Sequence, residues 1–258
     1  MFQRVGGQLV NAVSFGAGDR AILGVGGWVG TWELWQQPFE LLSSNWRTVA
    51  YDHFGVGQTA AGPELLTFEA QVDAVFDVMD AHGIDSCLLA GESAGGVVAA
   101  AAVLRHPERF DGVVFVATGF ARSDDETTRR FVEMIRSDFL AVVPGFVQMC
   151  VPEPDCGHVR RWLQHIISSA EPEVAATLIE ALYDVDLRPR LPHVAVPALV
   201  VHGALDALPA SSPDGARAAA ELIPDCELVI VDDAGHVPTL TRPEAVASAI
   251  DAAFARAA

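Results

Sequence analysis

Three residues whose types suit attack on a carbonyl, Ser93, Asp206 and His236, each stand at or just beyond the end of an apolar run. Ser93 is the centre of Gly91-Glu92-Ser93-Ala94-Gly95, which follows the apolar run 87–90 and leads into the small, helix-forming residues that begin at Ala94. A strand that reverses into a helix within five residues forces its middle residue into a strained conformation, and flanking glycines let the two backbones pass. The strain exposes the serine hydroxyl and aims the first amides of the helix at whatever it attacks. Serine is a poor nucleophile until a base takes its proton, and that base must be held in one tautomer. Asp206 follows the apolar run 197–202, and His236 follows the run 227–231. Parallel strands open their carboxyl ends onto one edge, so the three converge although distant in sequence. Their order, Ser then Asp then His, is the one that accompanies a Gly-x-Ser-x-Gly turn. Asp232 and Asp233 are rival acids, but the histidine's own turn places them poorly for its far nitrogen.

The elements needed to position these residues are legible in the pattern. Residues 2–15 alternate around Gly6-Gly7 and predict a hairpin. A strand over 20–25 runs into Gly26-Gly27-Trp28-Val29-Gly30, and a helix is expected over 33–42. A strand over 47–51 leads to Asp52-His53-Phe54-Gly55-Val56-Gly57. Thr67 caps a helix to about Ala81 with Phe68, Val72, Val75, Phe76 and Met79 inward. After the helix that begins at Ala94, residues 112–116 form a strand. Alternation then stops, and 120–190 reads as helices only. Ser123 is expected to cap the first of these, with Phe131, Met134, Ile135 and Phe139 on its apolar face. A loop over 150–157 precedes a helix around Trp162, and Pro172 opens another reaching Tyr183. Strands over 197–202 and 227–231, and helices over 214–222 and 243–254, complete the chain. The expected fold is α/β, with residues 1–119 and 191–258 as the core and 120–190 as an inserted helical cap.

Taken with this strand pattern, the Gly91-x-Ser93-x-Gly95 turn and the downstream Asp206 and His236 resemble the α/β-hydrolase fold family over nearly the whole chain. The resemblance implies a mostly parallel eight-stranded sheet flanked by helices. It implies Ser93 as nucleophile, His236 as general base and acid, and Asp206 as the orienting carboxylate. It also implies an oxyanion hole made by the backbone amides of Ala94 and Trp28, the latter in a loop where relatives carry His-Gly-x. Here Gly26 replaces that histidine, and Phe54 stands where relatives commonly carry Arg. Gly27, Trp28, Phe131 and Trp162 are expected to line the substrate pocket, while His53 and Glu92 read as structural.

Serine at position 93 argues against the related haloalkane dehalogenases and epoxide hydrolases, which use Asp there. The expected reaction is hydrolysis of a small to medium, largely apolar ester or lactone through an acyl-enzyme. Carbon–carbon bond hydrolysis, acyl transfer and a slow-turnover ligand receptor are the competing readings. No phosphate-binding loop, dinucleotide fingerprint or zinc spacing is present, so neither cofactor nor metal is expected. The 258 residues carry 16 basic side chains, all Arg, against 34 acids. The resulting charge of −18 argues against nucleic acid or an anionic membrane as a partner. No apolar run approaches the length of a membrane span, no signal pattern opens the chain, and four cysteines fit a reduced, cytoplasmic protein. Cys150 and Cys156 are near enough in sequence to bridge; their pairing stays open, as does oligomeric state.

Overall fold

In the computed structural model, which describes residues 2–122, 125–209 and 211–254, the chain opens with the expected hairpin. Its strands β1 (Phe2–Val5) and β2 (Gln8–Phe15) pair antiparallel across Gly6 and Gly7, both at positive φ. Six further strands follow: β3 (Arg20–Val25), β4 (Trp46–Tyr51), β5 (Cys87–Glu92), β6 (Phe110–Val116), β7 (Ala198–Gly203) and β8 (Cys226–Val231). All eight form one sheet in the order β1-β2-β4-β3-β5-β6-β7-β8. β2 joins β4 antiparallel, and every pairing from β4 across to β8 is parallel. The carboxyl ends of β5, β7 and β8 therefore share one edge, as Ser93, Asp206 and His236 require.

The central strands are continuous apolar runs because both faces are covered. Successive residues alternate between two cores: Leu88, Val114 and Leu199 lie in one, and Leu89, Val113 and Val200 in the other. The first face is covered by α1 (Gln36–Leu42) and α9 (Pro243–Phe254), which pack on each other. The second is covered by α2 (Phe68–Ala81), α3 (Ala94–Arg105) and α7 (Pro213–Leu222). Between β6 and β7 come α4 (Glu126–Cys150), α5 (Gly157–Ser168) and α6 (Pro172–Glu180), with no strand among them. A short α8 (Pro238–Thr241) follows the last strand. No helix among the described residues is long and apolar enough to cross a membrane.

Several elements differ from expectation for local reasons. The helix expected over 33–42 begins as a 3-10 turn, Trp32–Trp35, because the Thr31 hydroxyl accepts from the Glu33 amide. Phe68 and Phe76 of α2 are half-buried, and Gln71, Ala74 and Val78 complete its buried face. α4 is interrupted at Asp138, whose φ of −156° and ψ of 80° leave the helical region and whose carboxylate accepts from the Ala141 amide. A side chain that caps a second helical segment thus resets the helix phase beyond it; Met134, before the break, is exposed, while Ile135 and Phe139 are buried. Ser123 lies outside the described residues; the cap observed is Asp125, which accepts from the Thr128 amide. The helix expected to reach Tyr183 ends at Glu180 and continues as tight turns.

Candidate active site

Ser93 occupies φ 52° and ψ −119°, a conformation few side-chain-bearing residues adopt, between the end of β5 and the first residue of α3. Its amide donates to the Val116 carbonyl at 2.8 Å, which ties the turn to β6. The flanking glycines are sterically required: a Cβ on Gly91 would lie 2.4 Å from the Gly95 carbonyl oxygen, and one on Gly95 would lie 2.4 Å from that of Gly26.

Loops from the two neighbouring strand ends complete a hydrogen-bonded chain. His236 Nδ1 lies 2.8 Å from Asp206 Oδ2, and its Nε2 lies 2.9 Å from Ser93 Oγ. A carboxylate only accepts, so Nδ1 carries the hydrogen and Nε2 receives the serine proton. Asp206 is buried, and burial alone would raise its pKa. Hydrogen bonds from His202 and His236 outweigh that cost and hold the carboxyl well below the usual carboxylate range. His202 Nε2 lies 3.0 Å from Oδ2, Ser211 Oγ also lies 3.0 Å away, and the Leu208 amide donates to Oδ1 at 3.0 Å. Asp232 and Asp233 are exposed, and Asp233 instead pairs with Arg242 at 2.7 Å.

The loop after β3 passes so near the serine that a Cβ on Gly27 would lie 3.2 Å from Ser93 Cβ. The Gly30 amide closes a turn on the Gly27 carbonyl at 2.7 Å. His53 Nε2 donates to the Trp28 carbonyl at 2.7 Å, and the Trp28 indole donates to the Ala175 carbonyl of α6 at 2.7 Å. His53 and α6 thus hold a loop that lacks the histidine expected at position 26. The turn after β4, with Phe54 in place of Arg, is held by Asp52. Its carboxylate accepts from Asn11 Nδ2 and from the amides of Trp32 and Gln58.

Ser93 and His236 open into a partly open cavity that takes in about 370 Å³ with open solvent included, and whose walls include Gly27, Trp28, Phe146, Leu163 and Ile167. Phe131 and Trp162, expected in that wall, are not part of it. Phe131 stacks behind Trp28 and Phe146, with ring centroids 5.7 and 5.6 Å away, and the Trp162 indole donates to Glu33 Oε1 at 3.2 Å. Phe146 stands on the wall in place of Phe131, and on α5 the wall residue is Leu163, one position along from Trp162. Besides Ser93 and His236, the one ionisable side chain on the wall other than Cys150 is Glu92. It is fully buried, neither oxygen makes a well-formed hydrogen bond, and burial, slightly offset by the Thr239 hydroxyl, pushes it up to about 8.

Sequence reading missed three residues that hold this arrangement. His202 and Ser211 engage Asp206, and the spacing of His202 and Asp206, four apart across a strand end, is a signal that goes unused. Glu153 is buried in the loop after α4, where it accepts from the Gly235 amide at 2.7 Å, while the His236 amide donates to the Cys150 carbonyl at 2.8 Å. Cys87, Cys150, Cys156 and Cys226 are all free thiols, so the pair left open by spacing is not bridged.

Residues 20–175 match the model of the alpha/beta hydrolase fold. A Caulobacter protein with the provisional name carbamate hydrolase RutD is 31% identical over 235 residues, covering 86% of this chain and 85% of that one. The pimeloyl-[acyl-carrier protein] methyl ester esterase of Nitrosomonas europaea is 29% identical over 240 residues, covering 88% and 92%. Among solved structures, the enol-lactonase of Burkholderia xenovorans superposes with a TM-score of 0.91 at 23% identity, covering 99% of this chain and all of that one. The chain belongs to the α/β-hydrolase fold family. It is a hydrolase of the esterase and lactonase type.

Proposed function

We propose that the enzyme cleaves compact, largely apolar carboxylic esters or lactones through an acyl-enzyme, with Ser93 as nucleophile. The observation that carries this reading is the hydrogen-bonded chain Ser93–His236–Asp206 at the mouth of an apolar cavity. His236 takes the serine proton as Oγ attacks, then gives it to the leaving oxygen; Asp206 fixes its tautomer and stabilises the imidazolium. The Ala94 amide, first in a twelve-residue helix, and the Trp28 amide beside Ser93 face the oxygen where charge develops. Water then attacks the acyl-enzyme, again deprotonated by His236. The segment 120–190 acts as the cap: Phe146 of α4 and Leu163 and Ile167 of α5 face the nucleophile and exclude bulk water and polymers. A reduced, cytoplasmic setting fits the four free thiols.

The test is kcat/KM for p-nitrophenyl esters from acetyl to palmitoyl, with simple lactones alongside, in wild type and Ser93→Ala. Activity is expected to peak at short to medium acyl chains and to fall about 10⁴-fold or more in Ser93→Ala. A rate that rises to the longest chains, or a Ser93→Ala variant keeping a tenth of wild-type kcat, would overturn the proposal.

A further inference from the structure

Trp28 is a shared wall. On its other side lies a second, partly open cavity that takes in about 430 Å³ with open solvent included, between the first turn of α3 and the residues that follow α6. Phe68, Val98, Leu178 and Leu182 give it apolar walls, and Tyr51, His53 and Gln71 also line it. These three side chains are buried, and the Tyr51 hydroxyl, His53 Nδ1 and Gln71 Oε1 have no hydrogen-bond partner among the described residues. Buried polar atoms are rarely left so, because each keeps the full cost of losing water. Three side chains that line one apolar cavity thus each carry a polar atom without an internal partner.

Their donor and acceptor character is fixed by the bonds they do make. The Trp28 carbonyl only accepts, so His53 Nε2 carries the hydrogen and Nδ1 presents a lone pair. Burial lowers the His53 pKa, which favours that neutral form. Gln71 Nε2 donates to the carbonyls of Phe54 at 3.3 Å and Leu65 at 3.2 Å, so Oε1 is left as an acceptor. The Tyr51 hydroxyl can do either. Two acceptors and one adaptable hydroxyl call for a ligand that brings N–H or O–H donors. No Asp, Glu or Arg lines the cavity, and the start of α3 carries partial positive charge, so a buried cation would go uncompensated. An anion would face two lone pairs.

We propose that this cavity is a second binding subsite that takes a neutral group bearing N–H or O–H donors, a carboxamide or an alcohol, on a compact apolar body. Joined to the proposed esterase activity, on which this extension rests, it assigns the preferred esters a neutral donor group reaching past Trp28. The subsite itself is tested without turnover, by titration calorimetry of Ser93→Ala with benzamide and benzyl alcohol as probes and toluene and benzoate as controls. The two donor probes are expected to bind more tightly than either control. Adding Tyr51→Phe, which removes only the partnerless hydroxyl, should weaken benzamide roughly fivefold and leave toluene unchanged; Gln71→Leu should do the same. Benzamide affinity indifferent to both substitutions, or no benzamide binding, would overturn the proposal and leave these polar atoms to water alone. Because Ser93→Ala has no nucleophile, this result is read separately from whether wild type hydrolyses nitrophenyl esters.

Discussion

Two carboxyl groups sit at strand ends of one sheet edge, with β6 between their strands; both are buried, yet one is ionised and the other neutral. Asp206, beyond β7, is met by two histidine nitrogens, a hydroxyl and an amide, and stays ionised far into the acid range. Glu92, the last residue of β5, has no well-formed hydrogen bond and holds its proton to about pH 8. Burial is common to both, so the difference lies in the donors that converge on one and not on the other. A charged carboxylate suits the orienting role proposed for Asp206, and a neutral Glu92 leaves no negative charge to oppose the oxyanion of the proposed reaction at Ser93.

The largest expected effect tests the first half of this contrast. Asp206→Asn and His236→Ala should each lower kcat by about 10⁴-fold, because the histidine loses its tautomer or is absent. Near-normal turnover in Asp206→Asn would break the comparison outright. Next comes the pH profile. As pH rises through about 8, Glu92 ionises beside the nucleophile, so wild-type kcat/KM should fall on the alkaline side while Glu92→Gln keeps its own neutral-pH rate. The same residue sets a stability slope. Its folded pKa is raised, so its stabilising contribution is full below the ordinary carboxyl value and is lost as pH climbs through about 8. Asp206, with a lowered pKa, contributes above its ordinary value and loses that contribution in acid. Urea unfolding at several pH values should therefore show wild type losing more stability than Glu92→Gln between about pH 5 and pH 8. A smaller effect is expected of His202→Phe, which removes one of four donors to Asp206: roughly a tenfold loss in kcat with little change in KM. A rise in KM with kcat intact would instead give His202 a substrate contact. Smallest are Asp232→Asn and Asp233→Asn, both exposed, where kcat should change by less than about twofold. A large loss in either would mean that the wrong carboxylate has been paired with His236.

What the sequence made legible is what local pattern controls. The apolar runs ending near Glu92, Gly203 and Val231 fix strands, a parallel sheet aligns their ends, and Ser93, Asp206 and His236 follow. The opening hairpin and the Thr67 cap were readable for the same reason. Contacts between side chains of different elements were not. His202 and Ser211 act on Asp206 through the folded shape of the loop after β7, and Glu153 reaches the histidine loop from a helix tail far away in sequence. Phe131 and Trp162 were expected on the cavity wall but lie off it, because helical spacing shows an apolar face and not which of its residues meets the cavity. Asp138 interrupts the phase of α4, and on α5 a shift of one residue exchanges Trp162 for Leu163. The four-residue α8 is too short to leave a periodic signal.

The helices between β6 and β7 are fastened to the reacting groups by their own backbone: the Cys150 carbonyl holds the His236 amide, and the Ala175 carbonyl holds the Trp28 indole. Two hydrogen bonds to backbone carbonyls therefore link these helices to the His236 and Trp28 loops. Any swing wide enough to admit a bulky molecule would also draw His236 away from Ser93 and the Trp28 loop away from its place.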